Sequence, residues 1–278
     1  MAIKDLLVAY DGNEASEKAL EFALKMGTKY GAAVTGLKVN SPTRFDSHVR
    51  RWIPQDALKG MEQAQEEASA AISDKFHAQI KAAGFTGETD WLVEEGQPDI
   101  MLARSARFFD LLVIGQFESV FRSEMHRTVD PKELLLRAGK PVIIVPKNRP
   151  VTDFKETAAV AWDGSRFAAR ALTDAMQILE TKISLDVLMA DDDKGDDSVS
   201  RMPGLSIFEH LKRHGISTNE ITMTSGRIAE QILEHCEKTD PDVLVMGAYG
   251  RGNFTSALFG SLTRTILEKQ NVPVLLSH

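Results

Sequence analysis

Val243–Thr263, VLVMGAYGRGNFTSALFGSLT, is the stretch whose reading decides the fold. Val243-Leu244-Val245-Met246 is a short apolar run that stops at Gly247, as a buried strand does. Gly250 and Gly252 follow in an irregular segment, and Gly260-Ser261 opens an amphipathic run from Leu262 to Lys269. Strand, glycine-bearing loop and helix start therefore come in that order. The first N–H groups of a helix lack intrahelical acceptors and sit at the positive end of its dipole, so such a start suits an anion. Glycines let the backbone approach a phosphate and allow φ > 0.

Working outward, the same pattern occurs twice. Asp110-Leu111-Leu112-Val113-Ile114-Gly115 matches Asp242-Val243-Leu244-Val245-Met246-Gly247, and Pro141-Val142-Ile143-Ile144 matches Pro273-Val274-Leu275-Leu276, both 132 positions downstream. Leu6 to Gly12 is echoed by Thr157 to Gly164, with Asp163 lying 152 positions after Asp11. The first copy is thus 20 residues longer in its middle, where Ser41–Gly60 and a long Ala-, Glu- and Gln-rich segment sit. A repeat of this size means two duplicated domains. Their expected extents are 1–147 and 156–278, joined by a polar stretch containing Pro150.

In the first copy, strands are expected at Lys4–Gly12, Ala33–Val39, Thr89–Val93, Asp110–Gly115 and Pro141–Val145. Helices are expected at Asn13–Lys29, Met61–Ala83, Pro98–Phe108 and Pro131–Ala138, with Ser41–Gly60 a loop and the aliphatic residues of Met61–Ala83 in the core. Strands alternating with helices make an α/β protein with parallel sheets. Each copy is expected to be a doubly wound, five-stranded sheet of order 3-2-1-4-5. Ligands bind such sheets beyond the carboxyl ends of the strands, where the winding reverses. Strands 1 and 4 flank that point, so Asp163 and Gly247 converge on one crevice.

The 278 residues suffice for two cores, and a composition of 43% hydrophobic and 26% charged is that of a globular protein. A net charge of −7 argues against a general nucleic-acid or membrane-surface binder. A single cysteine, Cys236, fits a reducing cytoplasm and is read as a buried, unreactive thiol. Neither a signal-peptide pattern nor a membrane-length apolar run is expected.

Gly247, Gly250, Gly260 and Ser261 form Gly-x2-Gly-x9-Gly-Ser. With the strand-1 aspartate Asp163, this signature resembles that of the universal stress protein family in its tandem two-domain, Rossmann-like form. The resemblance implies ATP, or the related AMP or ADP, in the second domain, with Mg²⁺ a possible companion. Carried over by position, Gly247, Gly250, Gly260, Ser261 and Leu262 would hold phosphates and ribose. Asp163 would face the ribose or a water or metal near it, Met189 would lie near the adenine, and Arg251 would lean over the phosphates. The first copy departs from the signature: Gly115 is kept, but Glu118 stands for the second glycine and Thr128-Val129 for Gly-Ser. A carboxylate near a polyphosphate repels it by about 1 kcal/mol at about 4 Å even in water. One nucleotide per chain is therefore expected.

Blander readings stand beside these. Gly250-x-Gly252 lacks the third glycine of a dinucleotide fingerprint, and no Gly-x4-Gly-Lys-Ser/Thr occurs. Asp11 and Asp163 each precede glycine and fit turn residues; for Asp11 that reading is preferred. His210 and His214, spaced i, i+4, and the Asp191-Asp192-Asp193 run with Asp196-Asp197 read as solvated rather than metal-binding. Arg44, Arg50, Arg51, Arg122, His126 and Arg127 fit surface charges or a second anion pocket. No catalytic residue is assigned. A slow ATPase, or a carrier of an unrelated small ligand in the first domain, remains the alternative. The apolar Pro141–Val145 and Pro273–Leu276 strands are expected to pair within the chain as a pseudo-dimer, and a further homodimer is possible.

Overall fold

The computed structural model describes residues 3–41, 54–116, 129–190, 206–224, 226–248 and 260–278. In the first half, β1 (Asp5–Ala9) leads into α1 (Glu14–Tyr30), followed by β2 (Ala33–Asn40) and α2 (Gln55–Ala82). Then come β3 (Thr89–Glu95), α3 (Pro98–Ala106), β4 (Leu111–Gly115), α4 (Pro131–Ala138) and β5 (Val142–Val145). The second half repeats the series as β6 (Thr157–Ala161), α5 (Arg166–Leu179), β7 (Ser184–Ala190), α6 (Ile207–Arg213) and β8 (Thr218–Met223). It closes with α7 (Ile228–Thr239), β9 (Val243–Gly247), α8 (Ser261–Lys269) and β10 (Val274–Ser277).

All ten strands form one sheet of order β3-β2-β1-β4-β5-β10-β9-β6-β7-β8. Each half has the expected order 3-2-1-4-5, with every pair within a half parallel. The halves join where β5 meets β10 antiparallel, Ile143 opposite Leu275. Two apolar edge strands thus satisfy each other's backbone groups instead of facing solvent.

Alternation along buried strands supplies two cores. Leu6 and Val8 of β1 pack with Leu20, Phe22 and Phe76 on the face carrying α1, α2, α5 and α6. Leu7 packs on the opposite face, where Leu102, Leu134, Ile232 and Ile266 come from α3, α4, α7 and α8. The helices after β1 and β6 therefore lie on one face, and those after β4 and β9 on the other. The winding reverses between β1 and β4, and again between β6 and β9.

Two expectations about the long segment are corrected. The helix starts at Gln55 rather than Met61, directly after Pro54 at its N-cap, so Ser41–Gly60 is not wholly loop. Gln55 and Ala57 are good helix formers, Asp56 suits the first turn by its charge, and Gly60 is tolerated inside the run. Nor are its aliphatic residues mainly core: Phe76 and Ile80 are buried, but Met61 is 41% exposed.

The chain between the halves is held by charge. Asp242, at the head of β9, accepts from the backbone N–H groups of Lys155 and Glu156 at 2.8 and 2.9 Å and from Lys182 Nζ at 2.7 Å. Lys29 of α1 pairs with Glu156, and Lys25 with Asp153 at 2.8 Å. Asp110, the counterpart of Asp242, accepts from the backbone of Lys4 and Asp5 at 2.7 and 3.1 Å.

Candidate functional site

After β6, Trp162 donates its N–H to Leu188 O at 2.9 Å, and Asp163 and Gly164 turn the chain into α5. Gly164 has φ 71°, the left-handed conformation that favours glycine. Asp163 Oδ1 accepts from Ser165 N–H at 2.9 Å, and Ser165 in turn caps α5. The turn role of Asp163 is therefore real. On the neighbouring strand Met189 lies beside Trp162, half-buried against the core under α5.

Gly247 closes β9, which pairs with β6. A Cβ there would fall 2.7 Å from the Phe167 carbonyl carbon and 2.9 Å from Ala168 N, in the first turn of α5. At Gly115 a Cβ would fall 2.3 Å from Ala15 O. Close packing of strand 4 on helix 1 thus requires glycine in both halves, whatever either half binds. Ala248 is fully buried, donates to Ser277 O at 3.0 Å and accepts from Thr263 Oγ1 at 3.1 Å. Thr263, which sequence reasoning passed over, ties the exit of β9 to the first turn of α8.

Helix α8 starts from Gly260, with φ −55° and ψ 152°, no side-chain cap and no acidic residue in its first turn. That conformation is open to any residue, so φ > 0 is not what Gly260 supplies. What it offers is the missing Cβ. The first intrahelical bond runs from Arg264 N to Gly260 O at 3.1 Å, which leaves the N–H groups of Ser261, Leu262 and Thr263 ahead of the helical ladder. Gly260 and Ser261 are exposed, while Leu262 turns its side chain to the core and contributes only its N–H. Gly250 and Arg251 lie outside the described residues, as do Glu118, Thr128, the Asp191–Asp197 run and the arginines 44, 50, 51, 122 and 127.

Sequence reasoning also missed an aromatic–basic group beside this crevice. The Arg166 guanidinium lies 4.7 Å from the centre of the Phe167 ring, and the His278 ring lies 5.4 Å from the same centre. Burial, and then the Arg166 charge, lower the His278 pKa. The sequence shows only that His278 follows the last apolar strand; it is the pairing of Ser277 with Gly247 that brings it to the crevice.

The first-half crevice is built differently. Asp11 accepts from Asn13 N–H at 3.1 Å and from Asn13 Nδ2 at 2.9 Å. Lys75 of α2 donates to Gly12 O at 2.7 Å, and a Cβ on Gly12 would sit 3.3 Å from Ile72. Tyr10 OH donates to Gln79 Oε1 at 3.2 Å. Helix α2 is thus pinned across the end of β1. At α4, Asp130 caps by accepting from Lys132 N–H at 3.0 Å, Pro131 has no N–H to give, and Glu133 follows. Gln116, next to Gly115, donates through Nε2 to Leu267 O at 3.2 Å, at the far end of α8.

Elsewhere, the His210 and His214 rings lie 4.9 Å apart, inclined at 60°, and His214 Nδ1 lies 2.9 Å from Glu180 Oε1. Among the described residues no group of three His, Cys, Asp or Glu side chains is arranged to hold a metal, and no helix is long and apolar enough to cross a membrane. Cys236 is buried, which pushes its thiol up to about 12. Two open surface pockets sharing Phe22, Phe154 and Asp242 lie at the junction of the halves.

The family model described as "Universal stress protein family" matches this sequence twice, at residues 2–146 and 156–278. The universal stress protein Slr1230 of Synechocystis is 21% identical over 98% of this chain and 99% of its own length. The universal stress protein MJ0577 of Methanocaldococcus jannaschii is 31% identical over a shorter match, 26% of this chain and 43% of its own. Among solved structures, a universal stress protein from Archaeoglobus fulgidus superposes with a TM-score of 0.73 at 21% identity, covering 98% of this chain and 95% of that one.

Proposed function

This chain belongs to the universal stress protein family, and on that premise we propose that its C-terminal domain binds ATP, or the related AMP or ADP, as a regulatory ligand. The observation that carries this reading is the start of α8, uncapped, free of acidic residues and following a strand that pairs with the one leading to Asp163. Phosphate oxygens would accept from the N–H groups of Ser261, Leu262 and Thr263 and from the Ser261 hydroxyl. Gly260 leaves room for that approach. The base would lie toward Met189, with the ribose between it and Asp163, and Gly250 and Arg251 would close over the phosphates. Mg²⁺ would accompany a polyphosphate and lower its charge. The proposed domain extents are 1–147 and 156–278, and the proposed setting is the cytoplasm, as a monomer or a homodimer.

Calorimetric titration with ATP tests this. One equivalent of nucleotide per chain is expected, lost in Gly260→Val. Two equivalents, with one surviving that substitution, would place a nucleotide in the first domain as well. Multiple-turnover release of ADP abolished by Asp163→Ala would replace a regulatory ligand with a substrate.

A further inference from the structure

The first helices of the two halves open on opposite charges. Helix α1 begins at Glu14 and carries Glu17 in the same turn, which suits the positive end of its dipole. Helix α5 begins at the corresponding residue, Arg166, and has no acid in its first turn. Helix α4 has Glu133 in its first turn, whereas α8 has no acid there. Both helix starts at the first crevice are therefore acidic, and both at the second lack a carboxylate. His278 adds a second basic group, since it and Arg166 lie against the same Phe167 ring. Arg170, one turn further along α5, is instead paired with Asp174 at 2.9 Å. The backbone brings Arg166 and His278 to the rim of the proposed nucleotide site. Phe167 packs against Gly247, Ser277 O receives the Ala248 N–H, and Ala248 O receives the Thr263 hydroxyl from the first turn of α8. A cation at the positive end of a helix is unfavourable by itself, and a basic neighbour makes it more so. An anion between the two helix starts would reverse both effects, in a chain whose net charge is −7.

We propose that Arg166 and His278 receive the terminal phosphates of the bound nucleotide, so that the second domain separates ATP from AMP by phosphate number. This role for the two side chains rests on the nucleotide reading above. The N–H groups of Ser261, Leu262 and Thr263 serve the phosphate that all three adenine nucleotides share. Arg166 and His278, at the α5 side of Gly247, serve the phosphates that only ADP and ATP add. A guanidinium is suited to this, because its planar fork matches two phosphate oxygens at once. Burial, and then the Arg166 charge, lower the His278 pKa, and a phosphate beside it would raise it again.

Calorimetric titration of ATP and of AMP into the full chain, at about pH 6 where an imidazole takes up its proton, tests it. The wild type should bind ATP at least about tenfold more tightly than AMP. Arg166→Ala should reduce that ratio about tenfold while the Kd for AMP changes by less than about twofold. Arg166→Lys should keep most of the ratio, and His278→Ala should show a smaller loss of the same kind. Arg166 is exposed, so its removal should leave the fold intact, which urea unfolding of the free protein checks. A ratio that Arg166→Ala leaves unchanged overturns the proposal. Equal weakening of ATP and AMP also overturns it, by giving Arg166 a structural part only. The nucleotide reading fails differently: a wild type that binds neither ligand ends that reading and this role with it. Gly260→Val should lose ATP and AMP together.

Discussion

The two halves share a strand order and differ where the strands end. In the second half, α8 begins at a bare glycine, and a helix of seven residues, α6, follows β7. In the first, α4 begins with Asp130 already holding a backbone N–H and with a proline that has none to give, while the 28-residue α2 is bonded down onto Gly12. The same scaffold therefore yields one helix start free of its own cap and another already satisfied by its own chain. A fold provides a place for a ligand; a few residues at the helix starts decide whether the place is open.

The sharpest way to break this comparison is to attack what the halves have in common. Gly247→Val and Gly115→Val should each destabilise by about 3 kcal/mol or more, because the added side chain meets backbone of the next helix. Urea unfolding measures it, and similar losses in both halves would establish packing as the reason for these glycines. Next come the two aspartates that head β9 and β4. Asp242→Ala removes two hydrogen bonds to backbone and leaves the buried Lys182 with only Glu156, at 3.5 Å, and should cost about 3 kcal/mol, whereas Asp110→Ala removes only two hydrogen bonds to backbone and should cost about 1 kcal/mol. Equal losses would mean that the Lys182 pair contributes nothing of its own.

Gly260→Val should weaken ATP at least tenfold, about 1.4 kcal/mol, with the unfolding midpoint moving little, since its backbone conformation suits any residue. The converse exchange in the first half, Asp130→Gly with Pro131→Ser, should lose about 1 kcal/mol of stability with the cap. It should gain no second nucleotide, because Ile72 and Lys75 still cover Gly12; a second equivalent by calorimetry would contradict that. The smallest effect concerns Tyr10, whose counterpart Trp162 cannot ionise. Burial, then Glu17 and Asp11, push Tyr10 up to about 12 from an unfolded value near 10. The folded state thus favours the neutral phenol, and its contribution is complete below pH 10 and is lost as pH rises from about 10 toward 12. Tyr10→Phe should flatten the alkaline loss of stability.

Periodicity and repetition made the sheet order legible, because buried parallel strands leave short apolar runs and the 132-residue echoes align them. The extent of α2 was not, since Pro54 starts that helix inside a segment whose Pro, Ser and Arg content reads as loop. At the crevice the sequence marked Asp163, Gly247 and Gly260 but did not carry every reason for them. Gly247 is needed by Phe167 and Ala168, contacts between residues 80 apart that no local pattern announces. Thr263 and His278 went unnoticed for the same reason: a hydroxyl to the Ala248 carbonyl and an imidazole against Phe167 exist only once the sheet is assembled.

The antiparallel meeting of β5 and β10 has a consequence for how the molecule faces its surroundings. Because every other pairing is parallel, the strands of the two halves run in opposite senses, and the two crevices open toward opposite rims of a single sheet. A molecule seated in one cannot touch a molecule seated in the other. Helix α8 spans the interval: its first turn stands at one rim, and the carbonyl of Leu267 near its last turn receives the Gln116 carboxamide at the other. The protein is in that sense two-ended, and a rod of nine residues, about 13 Å long, spans the interval between the ends.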